Sequence, residues 1–195
     1  MLILAALFVA FVIAGLLSWL LTNARGYWLI LDEPNQRSLH TRPTPRTGGL
    51  AILTGAAAGL LTAWITGDHV LVGMATGMSA LTLALVALLD DRHNLGAGLR
   101  LLVHMIVVAY FLYASHYPDL NTLLYPAVFV LLVWMINLYN FMDGMDGFTA
   151  GMAVFGFGTF ALLAWQAGHS EFALGCAIIV AACSGFLLFN FPPAR

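Results

Sequence analysis

Between Leu2 and Thr22 the chain runs 21 residues without a charged side chain. Wound as an α-helix that run is about 31 Å long, enough to cross a hydrocarbon core of about 30 Å. It has no basic segment before it, and the apolar stretch is too long and ends without an Ala-x-Ala cleavage pattern. It therefore reads as a permanent membrane span rather than a signal peptide. The same reading places further spans at 49–66, 70–89, 99–115, 123–139, 148–167 and 171–189. The chain as a whole is 62% hydrophobic and 8% charged. A soluble domain carries roughly 25% charged residues, and a disordered chain is poor in apolar ones, so both classes are excluded. The expected fold is all-α: one polytopic transmembrane bundle of about seven spans, comprising residues 1–195 as a single domain.

The few charges orient this bundle. Arg25, Arg37, Arg42, Arg46, Arg92, Arg100 and Arg195 all fall on one side of the seven-span arrangement, and there is no Lys. Short cytoplasmic loops carry the basic excess, so that side is expected to be the cytoplasm, with the N-terminus outside and the C-terminus inside. Asp90, Asp91, Asp143 and Asp146 are expected on the same face. A carboxylate at the end of an apolar span is costly unless it is solvated, paired or metal-bound. Asp32, Glu33 and Asp68 read as solvated loop charges. The other four cluster with Asn and Gly and read as functional.

Their spacing carries the chemistry. In Asn137-Leu138-Tyr139-Asn140-Phe141-Met142-Asp143-Gly144-Met145-Asp146-Gly147, polar ligands recur every three residues. On a straight helix each step of three drifts by about 60°, so the whole set cannot face one way. Gly144 and Gly147 offer the place where the helix ends and the later ligands are redirected. Amide and carboxylate oxygens suit a hard cation such as Mg²⁺, which keeps water and takes one or two carboxylates plus phosphate oxygens. Asp90-Asp91, closing the third span, point about 100° apart on a helix and so divide roles: one can bind metal or take a proton while the other orients it. The segment Ser38–Gly49 offers Arg42 and Arg46 as planar forks for phosphate, stiffened by Pro43 and Pro45. Arg100 is placed to meet a phosphate at the interface or to snorkel to it, and His104, four residues on, points the same way.

Other features read as packing. Gly55–Gly59, Gly73–Gly77 and Gly147–Gly151 have the spacing of close helix contacts. Cys176 and Cys183 stand seven residues apart on one helix, too far for a disulfide, and read as core fillers.

Taken together, Pro45-Arg46-Thr47-Gly48-Gly49, Leu89-Asp90-Asp91, the Asn137–Gly147 run and Phe189-Asn190-Phe191-Pro192-Pro193-Ala194 resemble the polyprenyl-phosphate N-acetylhexosamine-1-phosphate transferases, which include phospho-N-acetylmuramoyl-pentapeptide transferase. The Ser38–Arg46 version of the loop is more similar to the initiators of surface polysaccharides and O-antigens. The resemblance implies an enzyme of the bacterial inner membrane in which polyprenyl phosphate attacks the β-phosphate of a UDP-sugar and UMP leaves. It implies Mg²⁺, with Mn²⁺ as a substitute, and no nucleic-acid partner; a homodimer stays open. By the same resemblance Asp90, Asp91 and Asp143 are catalytic and Asn140 and Asp143 hold the metal. Arg46, Arg100, Asp146 and Asn190 bind substrate, Arg100 at the lipid phosphate and Asp146 at the nucleotide sugar. Whether an Asp acts as base or as covalent nucleophile stays open.

Members of this family usually have about ten spans, with a Gly-Asp motif and a His/Arg loop beyond the Phe-Asn-x-x-Pro-Ala segment. The chain is therefore expected to correspond to the N-terminal portion of such an enzyme and to show little transfer on its own. A catalytically incomplete helix bundle and a seven-span transporter are the alternatives. A transporter would carry its ionisable groups near the membrane centre, whereas here they gather at span ends. A retinal protein is excluded by the absence of Lys. A CDP-alcohol phosphotransferase is disfavoured because residues 143–165 lack its Ala-Arg after the Asp-Gly.

Overall fold

The computed structural model describes residues 2–23, 31–32, 44–45, 48–68, 70, 73–115 and 121–192. The described residues form seven long helices: α1 (Leu2–Asn23), α2 (Gly48–Ile65), α3 (Met74–His93), α4 (Ala97–Ser115), α5 (Tyr125–Met142), α6 (Phe148–Gln166) and α7 (Ser170–Asn190). All seven are long and apolar enough to cross a membrane, α5 together with the 3₁₀ turn Thr122–Leu124 that precedes it. A two-residue antiparallel pairing, Leu31 with Pro45 and Asp32 with Thr44, is the remaining regular structure among the described residues.

The helices group into two compact units. The first contains α1, α2, α6 and α7. Its core is mostly alanine, with Ala6, Ala10 and Ala14 of α1, Ala63 of α2 and Ala182 of α7 packed around the larger Leu174 and Ile178 of α7. Without a hydrophobic drive between helices in lipid, such contacts depend on close backbone approach. Gly55 and Gly59 meet that requirement. A methyl group at Gly55 would stand 2.7 Å from the Ala10 carbonyl oxygen, and one at Gly59 would stand 2.8 Å from Ala10 Cβ. Gly151, by contrast, has no described atom near its Cβ direction, Gly73 has only Thr76 Oγ1 at 3.9 Å, and Gly147 serves a turn. Cys176 and Cys183 are buried in α7 as free thiols.

The second unit contains α3, α4 and α5. Val108 and Leu112 of α4 pack on Val133 of α5. In both units large apolar side chains face outward, including Phe8 at 67%, Trp134 at 58% and Phe155 at 79% exposure. In water such faces would aggregate; in a bilayer they match the solvent.

Two helix ends differ from the hydropathy reading, and both bear on the site. α3 continues past residue 89 to His93, so Asp90 and Asp91 lie in its final turn. α5 continues past residue 139 to Met142, so Asn140 is still helical. Hydropathy marks where the bilayer ends, whereas the helix stops where its backbone is capped. For α3 the cap is Asn94, in the left-handed conformation at φ 47°, whose N–H donates to the Asp90 carbonyl at 2.7 Å.

Candidate functional site

In the α3–α5 unit, the connection between α3 and α4 is only Asn94-Leu95-Gly96. Gly96 begins the next helix by accepting from the Leu99 and Arg100 amides at 3.0 and 3.2 Å. This tight return brings the last turn of α3 against the first turn of α4. Arg100 Nη1 donates to Asp90 Oδ2 at 2.7 Å, with side-chain exposures of 31% and 18%. Neither charge helps its own helix. A helix carries partial positive charge at its N-terminus and partial negative charge at its C-terminus. Asp90 and Asp91 therefore sit at the unfavourable end of α3, partly offset by Arg92 and His93 in the same turn, and Arg100 sits at the unfavourable end of α4. Residues placed against both dipoles are held by each other, an arrangement that helix stability does not select.

The polar line continues inward. His104, one turn after Arg100, is buried at 7% exposure, and the Asn137 side chain of α5 lies within hydrogen-bonding reach of it. Asn137 Nδ2 donates to the Val133 carbonyl at 2.8 Å, which leaves its carbonyl oxygen for a neighbour. Asp90, Arg100, His104 and Asn137 thus link three helices through one polar seam. Asp91 is half-buried beside it, and Asn140 is exposed in the last turn of α5.

In the other unit, residues 143–147 form the turn that leads into α6. Asp143 keeps an exposed surface. The protein mass around it nevertheless pushes its carboxyl above the usual carboxylate range, while the Thr149 hydroxyl, which can donate to it, pulls the other way. A carboxylate held at such a cost is one that a cation would relieve. Asp146 is half-buried in the same turn. Gly147 closes it at φ 69°, in the region only glycine enters freely. Asn190, the last residue of α7, accepts from the Gly147 N–H through Oδ1 at 2.8 Å. Pro192 Cδ stands 3.1 Å from where a Cβ at Gly147 would be.

Among the described residues, no three His, Cys, Asp or Glu side chains form a closed metal cage. The turn fits a different mode. Mg²⁺ is usually held by one or two carboxylates and completes its shell with water and phosphate oxygens. Asp143 and Asp146, with an exposed edge, offer that donor set, and Asn140 lies three residues earlier along the chain.

Of the residues expected from the sequence, the structure pairs Asp90 with Arg100, sets Asp91 beside them, and joins Asn190 to the turn carrying Asp143 and Asp146. Arg46 lies outside the described residues, as do Ser38–Pro43 and Arg195. Thr149 and the Gly147 amide were not anticipated. The positive φ that Asp-Gly sequences favour was the signal for the second; nothing in the spacing marked the first.

Among known proteins, residues 72–195 match the family glycosyl transferase family 4. The chain is 29% identical over 177 residues to the probable undecaprenyl-phosphate N-acetylglucosaminyl 1-phosphate transferase of Bacillus subtilis (strain 168), covering 85% of this chain and 49% of that one. It is 33% identical over 180 residues to the phospho-N-acetylmuramoyl-pentapeptide-transferase of Geobacillus kaustophilus (strain HTA426), covering 78% and 54%. The transferase of the same name from Levilactobacillus brevis (strain ATCC 367) is 30% identical over 179 residues, covering 78% and 55%. The chain spans about half the length of these curated relatives. No solved structure matches it.

Proposed function

Because this chain belongs to glycosyl transferase family 4, we propose that it carries the phosphate-handling part of a membrane enzyme that transfers a sugar-1-phosphate from a UDP-sugar to polyprenyl phosphate. The names of its relatives support this substrate pair, one of them naming undecaprenyl-phosphate. An N-acetylhexosamine is the proposed sugar, and initiation of a surface polysaccharide or O-antigen the proposed role. By the crossing count, the Asp90–Arg100 pair and the Asp143–Asp146 turn belong at the cytoplasmic face of the inner membrane, where the Arg residues gather.

The observation that carries the reading is the 2.7 Å Asp90–Arg100 pair at the membrane edge. Transfer joins two phosphates that repel each other, so the site needs fixed cations and a proton acceptor. Arg100 supplies a guanidinium for the lipid phosphate and Arg46 a second fork. Asp90 and Asp91 supply the acceptor for the last lipid-phosphate proton or, in the other route, the nucleophile. Asn140 and Asp143 would hold Mg²⁺, and Asp146 would contact the nucleotide sugar. Mg²⁺, when bound, offsets the charge of the two phosphates. In the direct route, an oxygen of the lipid phosphate forms a bond to the sugar-bearing β-phosphorus. The bond from that phosphorus to the UMP oxygen breaks, and the electron pair leaves with UMP.

The test is transfer of label from a UDP-N-acetylhexosamine to undecaprenyl phosphate by the gene product that carries these 195 residues, with equilibrium binding of both substrates measured in parallel. Formation of a lipid diphosphosugar with release of UMP is expected. Binding of neither substrate and no transfer would overturn the proposal.

A further inference from the structure

The Phe189–Pro192 segment and the Asp143–Gly147 turn, joined by a bond between residues 43 apart in sequence, clasp each other. At the end of α7, Phe191 swings into extended backbone at φ −65° and ψ 139°, while its N–H closes the helix on the Leu187 carbonyl at 2.9 Å. That exit leaves Asn190 over the start of α6 and Pro192 against Gly147. The amide that Asn190 accepts from is the peptide between Asp146 and Gly147. On its other side Gly147 is also held, its carbonyl accepting from the Gly151 N–H at 2.9 Å. The Asp146–Gly147 peptide plane is therefore fixed, and that plane springs from the Cα that carries the Asp146 carboxylate.

We infer that Asn190 is a positioning residue. Through the Gly147 N–H it sets the direction in which the Asp143–Asp146 turn presents its carboxylates to a divalent cation. Its side-chain carbonyl is committed to the protein backbone, so its part in the site runs through the turn. This rests on the proposed phosphate-transfer reading, which gives the turn its cation. A group that orients a ligand-bearing segment typically costs about tenfold or more in metal affinity when removed. A staple that merely joins α6 to α7 would cost stability alone.

The experiment uses the purified chain in detergent or nanodiscs, with Mn²⁺ alone as the probe. Mn²⁺ affinity is read by paramagnetic resonance, amide exchange over residues 143–149 by mass spectrometry, and thermal unfolding by circular dichroism. Asn190→Leu keeps the volume and removes the acceptor; Asn190→Asp keeps an acceptor of the same reach. Asn190→Leu is expected to weaken Mn²⁺ binding about tenfold and to speed exchange of the Gly147 amide at least about fivefold. Asn190→Asp should hold both near wild type. If Asn190→Leu does not fold, Asn190→Ala serves in its place.

The inference is overturned if Asn190→Leu lowers only the unfolding temperature, or if Asn190→Asp and Asn190→Leu weaken Mn²⁺ binding alike. A different result speaks to the underlying reading. Mn²⁺ binding that is absent in the wild type, or unchanged in Asp143→Asn and Asp146→Asn, removes the cation from the turn. In that event the exchange rate of Gly147 still decides whether Asn190 sets the turn.

Discussion

Arg100 and Asp90 meet at 2.7 Å across a three-residue connection, each at the end of a helix whose dipole opposes its charge. The pair is partly exposed, so its net contribution to stability is about 0.5–1 kcal/mol. In a double-mutant cycle of Asp90→Ala and Arg100→Ala, read by thermal unfolding in micelles, a coupling energy of that size is expected. Strict additivity of the two substitutions would show that the contact does not persist in the folded protein.

Gly55 admits α1 onto α2 with no room for a side chain, whereas Gly151 faces no described atom within 4 Å. Gly55→Ala should therefore cost about 1–3 kcal/mol through overpacking. Gly151→Ala removes a flexible residue from the interior of α6 and should be neutral or stabilising by up to about 1 kcal/mol. Unfolding midpoints of the two variants, measured side by side, decide the point. Equal effects would contradict the packing described for the first unit.

Gly147→Ala meets two obstacles at once, a backbone at φ 69° and the Pro192 ring. The left-handed conformation alone costs a residue with a Cβ about 1–2 kcal/mol. Loss of stability of at least that size is expected, with faster amide exchange confined to residues 143–149. An unchanged exchange profile would mean that the turn is not held as described.

Both native cysteines are buried in α7, which gives a silent background for labelling. Asn94→Cys, in the α3–α4 connection, should react with a membrane-impermeant maleimide only when the cytoplasmic face is open. Gly168→Cys, between α6 and α7, should react from outside in intact cells. The reverse pattern would invert the proposed orientation.

The seven spans were readable from the sequence because a bilayer leaves a spanning backbone only the helix or the closed barrel, and continuous apolar runs of about 20 residues mark the helix directly. The helix ends were less readable. Asp90 and Asp91 were expected to close the third span and do lie in the final turn of α3, but the hydropathy signal ends at residues 89 and 139 whereas the helices run on to His93, capped at Asn94, and to Met142. The break in the Asn/Asp series was foreseen from the drift of a three-residue repeat and the two glycines. The partners were not. Arg100 was expected at a lipid phosphate, and its contact with Asp90 depends on how tightly residues 94–96 return the chain. The bond from Asn190 to Gly147 joins segments that α6 and α7 bring together, and no local spacing encodes it.

The central claim is that the carboxylates closing α3 handle phosphate. The direct measurement is the initial rate of sugar-1-phosphate transfer to undecaprenyl phosphate by the gene product carrying these residues, comparing wild type with Asp90→Asn and Asp91→Asn, each checked for membrane insertion. A fall of about 10²–10⁴-fold in at least one variant, with insertion intact, is the predicted result. Near-wild-type turnover in both would contradict the account.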